Sequence, residues 1–273
     1  MTVIVATTRE QELADALEAV RARVTAAADA AGRDAGEIEL LPVTKFFPAS
    51  DVIILRRLGC ESFGESREQE ASNKVAEIGE FRNLGPIRWH MVGRIQRNKA
   101  RAIAGWAYAA HSVDSRKVLD ALDRAAGEAL AEGRRAEPLR VYIQVSLDGD
   151  DKRGGVDVET PGAVDEMCAA AHAAGGLEFV GLMAIPPLGV DAEAAFGRLQ
   201  VEHQRVQADY PQRLGMSAGM SDDLEVAVKH GSTCVRVGTA LFGQRPLPSP
   251  GVVTPVTSSS QTPESKVIRR VER

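Results

Sequence analysis

Eight short apolar runs, each followed by a stretch with helical character, constrain this chain more than any other feature. They fall at 38–43, 61–64, 88–92, 108–113, 139–145, 178–184, 213–217 and 234–238. Strict alternation of strands and helices implies right-handed crossovers and therefore a parallel sheet. Eight such units favour closure into a single parallel (β/α)8 TIM-type barrel over an open doubly wound sheet. An amphipathic stretch at 9–31 precedes the first run, with Leu13, Leu17, Val20 and Val24 at helical spacing. That stretch predicts an added N-terminal helix. Helix starts are signalled by Pro48, by Asp114-Ser115 before Val118 and Leu119, by Pro161 before an alanine-rich segment, and by Ser221 before Asp222 and Asp223.

The chain has 273 residues, 44% of them hydrophobic, the size at which such a barrel closes as one domain. We expect the barrel over 1–247 and, at 248–273, a flexible tail rich in Pro, Ser and Thr. A net charge of -5 provides no basic field for a phosphate backbone, and clusters such as Arg94, Arg97, Lys99 and Arg101 are local. Nucleic acid is not an expected partner. Cys60, Cys168 and Cys234 are odd in number and far apart, which suits buried reduced thiols rather than disulfides or a zinc site. The first residues lack a basic n-region and an apolar h-region, and no stretch reaches the apolar length of a membrane span, so a cytoplasmic protein is expected.

Reactive groups in a parallel barrel lie at the carboxyl ends of the strands. Lys45 follows the first apolar run directly, inside Leu41-Pro42-Val43-Thr44-Lys45, with Phe46, Phe47 and Pro48 beside it. A lysine at a buried strand end is partly desolvated, which frees its amine to attack a carbonyl. The competing reading is an ordinary solvated lysine. The remaining lysines suit solvated roles better: Lys74, Lys99, Lys117, Lys229 and Lys266 in helical or tail segments, Lys152 in a polar loop.

Two C-terminal segments add a candidate anion site. In 217–223, a strand ends in a small-residue loop, and Ser221 is placed to cap the next helix. In 234–243, a strand ends at Gly238-Thr239, where glycine permits close backbone approach and threonine adds a hydroxyl. Loops after strands seven and eight form the usual phosphate site of such barrels. A plain cap at Ser221 and a plain turn at Gly238 are the alternatives. Arg236, two residues before Gly238, shares its strand face and points inward, where a cation needs a partner. His90 and His111 lie in predicted strands without ligand-spaced neighbours and read as structural, so no metal is expected. A Walker loop and a GxGxxG fingerprint are both missing from the sequence.

From about Arg9 to Arg245 the chain resembles the pyridoxal phosphate homeostasis proteins, single-domain relatives of the alanine racemase N-terminal barrel. The resemblance rests on Leu41-Pro42-Val43-Thr44-Lys45 with Pro48, Phe63-Gly64-Glu65, and Trp89-His90-Met91-Val92-Gly93 followed by Gln96 and Asn98-Lys99. It extends through His111-Ser112-Val113-Asp114-Ser115, Gly181-Leu182-Met183, Gly219-Met220-Ser221 and Gly231-Ser232-Thr233 onward to Gly243. It implies pyridoxal 5′-phosphate bound as a Schiff base on Lys45, the phosphate held by Ser221, Gly238 and Thr239, and Arg236 facing the pyridine nitrogen. It further implies a role in cofactor homeostasis or delivery rather than strong catalysis, with apo pyridoxal-phosphate enzymes as recipients and a monomer or weak dimer as the assembly. The chain departs from the family pattern at Phe46, Phe47, Ser66, Arg94 and Ala218. The competing class is an amino-acid racemase of the same barrel type. Such racemases resemble this chain in the barrel but take a second base from a C-terminal β domain, which a short polar tail would not supply.

Overall fold

A computed structural model describes residues 8–81, 83–150, 153–187 and 189–244. The expected tail at 248–273, Lys152 and Lys266 lie outside them. The first half runs α1 (Thr8–Ala30), β1 (Glu39–Pro42), α2 (Ala49–Arg57), β2 (Ser62–Glu65), α3 (Glu68–Gly79), β3 (Arg88–Met91), α4 (Ala100–Trp106), β4 (Ala109–Val113) and α5 (Arg116–Ala131). The second half continues β5 (Leu139–Ser146), β6 (Val156–Asp157), α6 (Pro161–Ala173), β7 (Leu177–Met183), α7 (Ala192–Gln207), β8 (Gly215–Ser217), α8 (Leu224–Lys229), β9 (Cys234–Val237) and α9 (Thr239–Phe242).

The ladder order is β1-β9-β8-β7-β5-β4-β3-β2, every pair parallel. A bridge between Val43 and Gly64, with the Thr44 N–H donating to the Gly64 carbonyl at 2.9 Å, joins β1 to β2 and closes the ring. The expected barrel is therefore present, with all eight apolar runs as its staves. The two-residue β6 is an addition, paired to β5 at Val145↔Val156, and it is too short to carry any periodicity. The seventh stave is shorter than expected. Its ladder begins at Gly215, because the Leu214 N–H is taken by Gln207 Oε1 at 2.7 Å and Arg213 reaches out to Glu37.

The added helix α1 buries Leu13, Leu17, Val20, Val24, Ala27 and Ala28. This stripe joins Val52, Leu55, Leu224, Val228, Leu241 and Phe242 in one apolar cluster, while a second cluster fills the space between the staves and α4 to α8. Arg33, just beyond α1, donates to the carbonyls of Val228 and Ser232 at 2.8 and 2.7 Å, tying the helix to the stave pair that carries the anion loops. Pro161 occupies the first turn of α6 as expected. Cys60, Cys168 and Cys234 are buried free thiols. Among the described residues no helix is long and apolar enough to cross a membrane.

Candidate functional site

The carboxyl ends of the staves open into a cavity of about 470 Å³, within the range that small-molecule sites occupy. Lys45, Ser221, Arg236, Gly238 and Thr239, proposed from the sequence alone, all line it. Phe46, Phe47, Ser66, Arg94, Gln144, Arg153 and Asp222 are among the other lining residues.

Lys45 is half-buried on a tightly held segment. Its neighbour Thr44 is fully buried, donating through its hydroxyl to Glu65 and accepting from Lys74 Nζ through its carbonyl at 2.9 Å. On the other side, the Phe46 N–H donates to Glu70 Oε1 at 2.6 Å, and Phe46 has φ +70. A bulky residue in the left-handed region is strained, so it persists only where its surroundings force it. Here the force is the Glu65–Lys74–Glu70 cluster. Lys74 corrects the sequence reading: it is 6% exposed rather than solvated, and pairs with the buried Glu65, whose carboxyl burial pushes above its ordinary value. Phe47 stacks on Phe242 with centroids 4.8 Å apart, which docks the far side of the segment onto α9.

Across the cavity, Ser221 departs from its expected role. The helix α8 starts only at Leu224, behind Asp223, and Ser221 instead accepts the Ala240 N–H of α9 at 3.1 Å. One hydroxyl thus ties the loop after β8 to the loop after β9. The Ser221 carbonyl accepts from Arg23 of α1 at 2.8 Å, and Arg23 also pairs with Glu225. Gly238 has φ −111, and a Cβ built there would meet nothing nearer than the Val43 carbonyl at 3.8 Å. Neither backbone conformation nor internal packing demands glycine at that point. The space a side chain would take belongs to the cavity.

Arg236 is 5% exposed, yet among the described residues its side-chain hydrogen bonds reach no carboxylate. Its Nη1 donates to Ser217 Oγ at 2.6 Å and its Nη2 to the Ala184 carbonyl at 3.0 Å. Burial pulls its pKa below the ordinary arginine value, but a guanidinium remains charged at neutral pH. A buried cation held only by neutral oxygens is incomplete until an acceptor on a ligand joins it. Behind it lies a feature that sequence reasoning missed. His111 Nδ1 is 2.8 Å from Ser217 Oγ, and His90 Nδ1 is 2.9 Å from His111 Nε2. Burial holds His90 down to about 4 and His111 well below its ordinary value, the latter with help from His90 and Arg236.

Gln144 and Arg153 were also missed. Arg153 donates to the Pro186 carbonyl at 2.6 Å, while Gln144 donates to the carbonyls of Arg153 and Gly154, joining the loops after β5 and β7 at the rim. The only advance signal for Gln144 was a polar residue near the carboxyl end of a strand, where the functional groups of such a barrel lie.

The sequence profile of the family described as "Alanine racemase, N-terminal domain" matches residues 16–246. A protein from Mycobacterium tuberculosis named pyridoxal phosphate homeostasis protein is 65% identical over 248 residues, covering 89% of this chain and 96% of the relative. One of the same name from Escherichia coli is 34% identical, covering 86% and 97%. Among solved structures, PipY of Synechococcus elongatus with PLP bound superposes with a TM-score of 0.69 at 32% identity, covering 85% of this chain and all of that one. Alanine racemase from Corynebacterium glutamicum shares the fold at a TM-score of 0.57 and 18% identity, with 61% of its length covered. A barrel closed by Val43 and Gly64, with its candidate site at the stave ends and near-full-length relatives of one name, places the chain in the pyridoxal phosphate homeostasis protein family, within the alanine racemase N-terminal domain class.

Proposed function

We propose that this protein binds pyridoxal 5′-phosphate through a Schiff base on Lys45 and serves cytoplasmic homeostasis or delivery of the cofactor rather than turnover. The observation that carries the reading is the convergence on one cavity of an amine at Lys45 and a buried cation without a carboxylate at Arg236. Ser221, Gly238 and Thr239 complete the lining on the Arg236 side. Their open glycine backbone and hydroxyls suit a phosphate, and the related PipY structure is described as having PLP bound.

The cofactor supplies an aldehyde for an amine and, in enzymes, an electron sink. Arg236 works against the second property. A guanidinium has donors only, so beside a ring nitrogen it would present N–H and leave that nitrogen unprotonated. Racemisation also requires a base on each face of the substrate. Besides Lys45, the ionisable residues among the described lining are Arg94, Arg153, Arg236 and Asp222, and Asp222 is exposed to solvent. Apo pyridoxal-phosphate enzymes are the recipients that such a delivery role would serve.

Borohydride reduction of the protein loaded with pyridoxal phosphate, followed by peptide mass analysis, tests the attachment. The label is expected on Lys45, and Lys45→Ala is expected to lose the visible absorption band; a label elsewhere sinks the reading. Chiral analysis after incubation with L-alanine tests the absence of turnover, and rapid racemisation would replace the binder with an enzyme.

A further inference from the structure

We infer that His90, His111 and Ser217 form a hydrogen-bond chain of fixed polarity that orients the Arg236 guanidinium, making Ser217 and His111 positioning residues for the ligand of this cavity. That the ligand is pyridoxal phosphate rests on the preceding proposal; the polarity of the chain does not.

The polarity follows from counting protons. Arg236 has no acceptor, so Ser217 Oγ accepts from Nη1 across their 2.6 Å contact. The single Ser217 hydroxyl proton then needs an acceptor of its own, and His111 Nδ1 stands 2.8 Å away. Were Nδ1 protonated, two donors would converge on Ser217 Oγ and its proton would be left to the Cys234 sulfur, a weak acceptor. His111 is therefore the Nε2–H tautomer, and that N–H donates to His90 Nδ1 at 2.9 Å. His90 in turn carries its proton on Nε2, an atom that is buried and without a partner. The unmade bond thus lies at the end of the chain away from the cavity.

Packing holds the rings in place. His111 lies against Tyr142 with centroids 4.4 Å apart, and His90 against Tyr108 at 5.5 Å. The Ala184 carbonyl pins the other corner of the guanidinium at 3.0 Å. Two corners are thereby fixed to the barrel interior on a residue that also lines the cavity. Rigid donors of this kind bind a ligand atom without paying for their own ordering.

Nitrogen NMR of the histidine-labelled apoprotein reads the chain with no ligand present. Both His90 and His111 are expected to be neutral with the proton on Nε2; a His111 ring protonated on Nδ1, alone or in addition, overturns the inference. Ser217→Ala removes the link to Arg236 and is expected to weaken pyridoxal phosphate binding about tenfold, the size of losing a hydrogen bond to a charged group. It should also shift the absorption band of the bound cofactor, whereas Ser217→Thr, which keeps the hydroxyl, should restore both. Unchanged affinity and spectrum in Ser217→Ala overturn the positioning role. If that variant does not fold, His111→Gln and His111→Leu replace it: the amide can accept from Ser217 and donate to His90, so only Leu should lose affinity, and equal affinities overturn the inference. Failure of the wild-type protein to bind pyridoxal phosphate would remove the preceding proposal while leaving the apoprotein tautomers to judge the chain.

Discussion

At Gly219 the backbone has φ +89, and a Cβ would lie 2.6 Å from the Ala227 Cβ; at Gly238 φ is −111 and the nearest atom to such a Cβ is 3.8 Å away. The same change to alanine should therefore have opposite consequences. Gly219→Ala combines backbone strain with a clash and should cost about 1–3 kcal/mol, read as a lowered midpoint in denaturant. Gly238→Ala should leave that midpoint unchanged or slightly raised, because a compatible φ gains from a stiffer unfolded chain. Its cost should appear in pyridoxal phosphate affinity, since the added methyl enters the cavity. A destabilised Gly238→Ala with normal affinity would mean that glycine there serves only the turn. Lys45 and Arg236 were legible because their positions follow from strand ends and strand parity, which are local properties. The His90–His111–Ser217 chain was not: its members are separated by 21 and 106 positions, and no local pattern announces such a contact. Lys74 was misread for a related reason. Lysine on a helix is usually solvated, and only the fold reveals a buried carboxylate facing it.

Between β1 and α2, the Lys45 segment takes its shape from β2 and α3 rather than from its own residues. Glu65 ends β2, Glu70 and Lys74 belong to α3, and together they hold Thr44 and Phe46. Lys74→Met would leave the Glu65 carboxylate buried and unpaired, a loss of roughly 3–5 kcal/mol. The double variant Glu65→Gln/Lys74→Met should recover part of that loss by removing the orphaned charge. Chemical denaturation of wild type and the two variants decides the matter, and a double variant no more stable than Lys74→Met would argue against the orphaned charge. On the opposite rim, α1 acts through Arg23, which holds the Ser221 carbonyl and pairs with a surface carboxylate. Arg23→Ala should therefore lower stability by no more than about 1 kcal/mol, since exposed pairs contribute little, while weakening ligand binding through a looser Ser221 loop. Equal affinities for Arg23→Ala and wild type would confine α1 to packing. The helix itself was legible from its apolar stripe. The partner of Ser221 was not, because a hydroxyl just before a helix is normally read as its cap, and here the N–H it serves belongs to α9, 19 residues on.

Alternation of eight strands with helices favoured a closed barrel over an open doubly wound sheet, because parallel pairing and right-handed crossover leave few ways to bury both faces of such a sheet. Closure has a thermodynamic consequence that the order of elements could not reveal: two neutral imidazoles are sealed inside the ring. The His90 ring is held near pKa 4 against an ordinary value of 6.5, and burial holds His111 well below that ordinary value too. Between these values the unfolded chain takes up protons that the folded barrel refuses, so stability is fully present above about pH 6.5 and falls as the pH drops towards 4. For His90 alone the loss across that window is of order 3 kcal/mol. Glu65 acts with the opposite sign. Its raised pKa makes the folded protein hold a proton that the unfolded chain has released, so its contribution improves as the pH falls towards the ordinary carboxyl value. The histidine share is therefore isolated by comparing wild type with His90→Gln in urea at pH 7 and pH 5. Wild type should lose more stability than the variant between those two conditions, and parallel losses would mean that the paired imidazoles titrate alike in the folded and unfolded states.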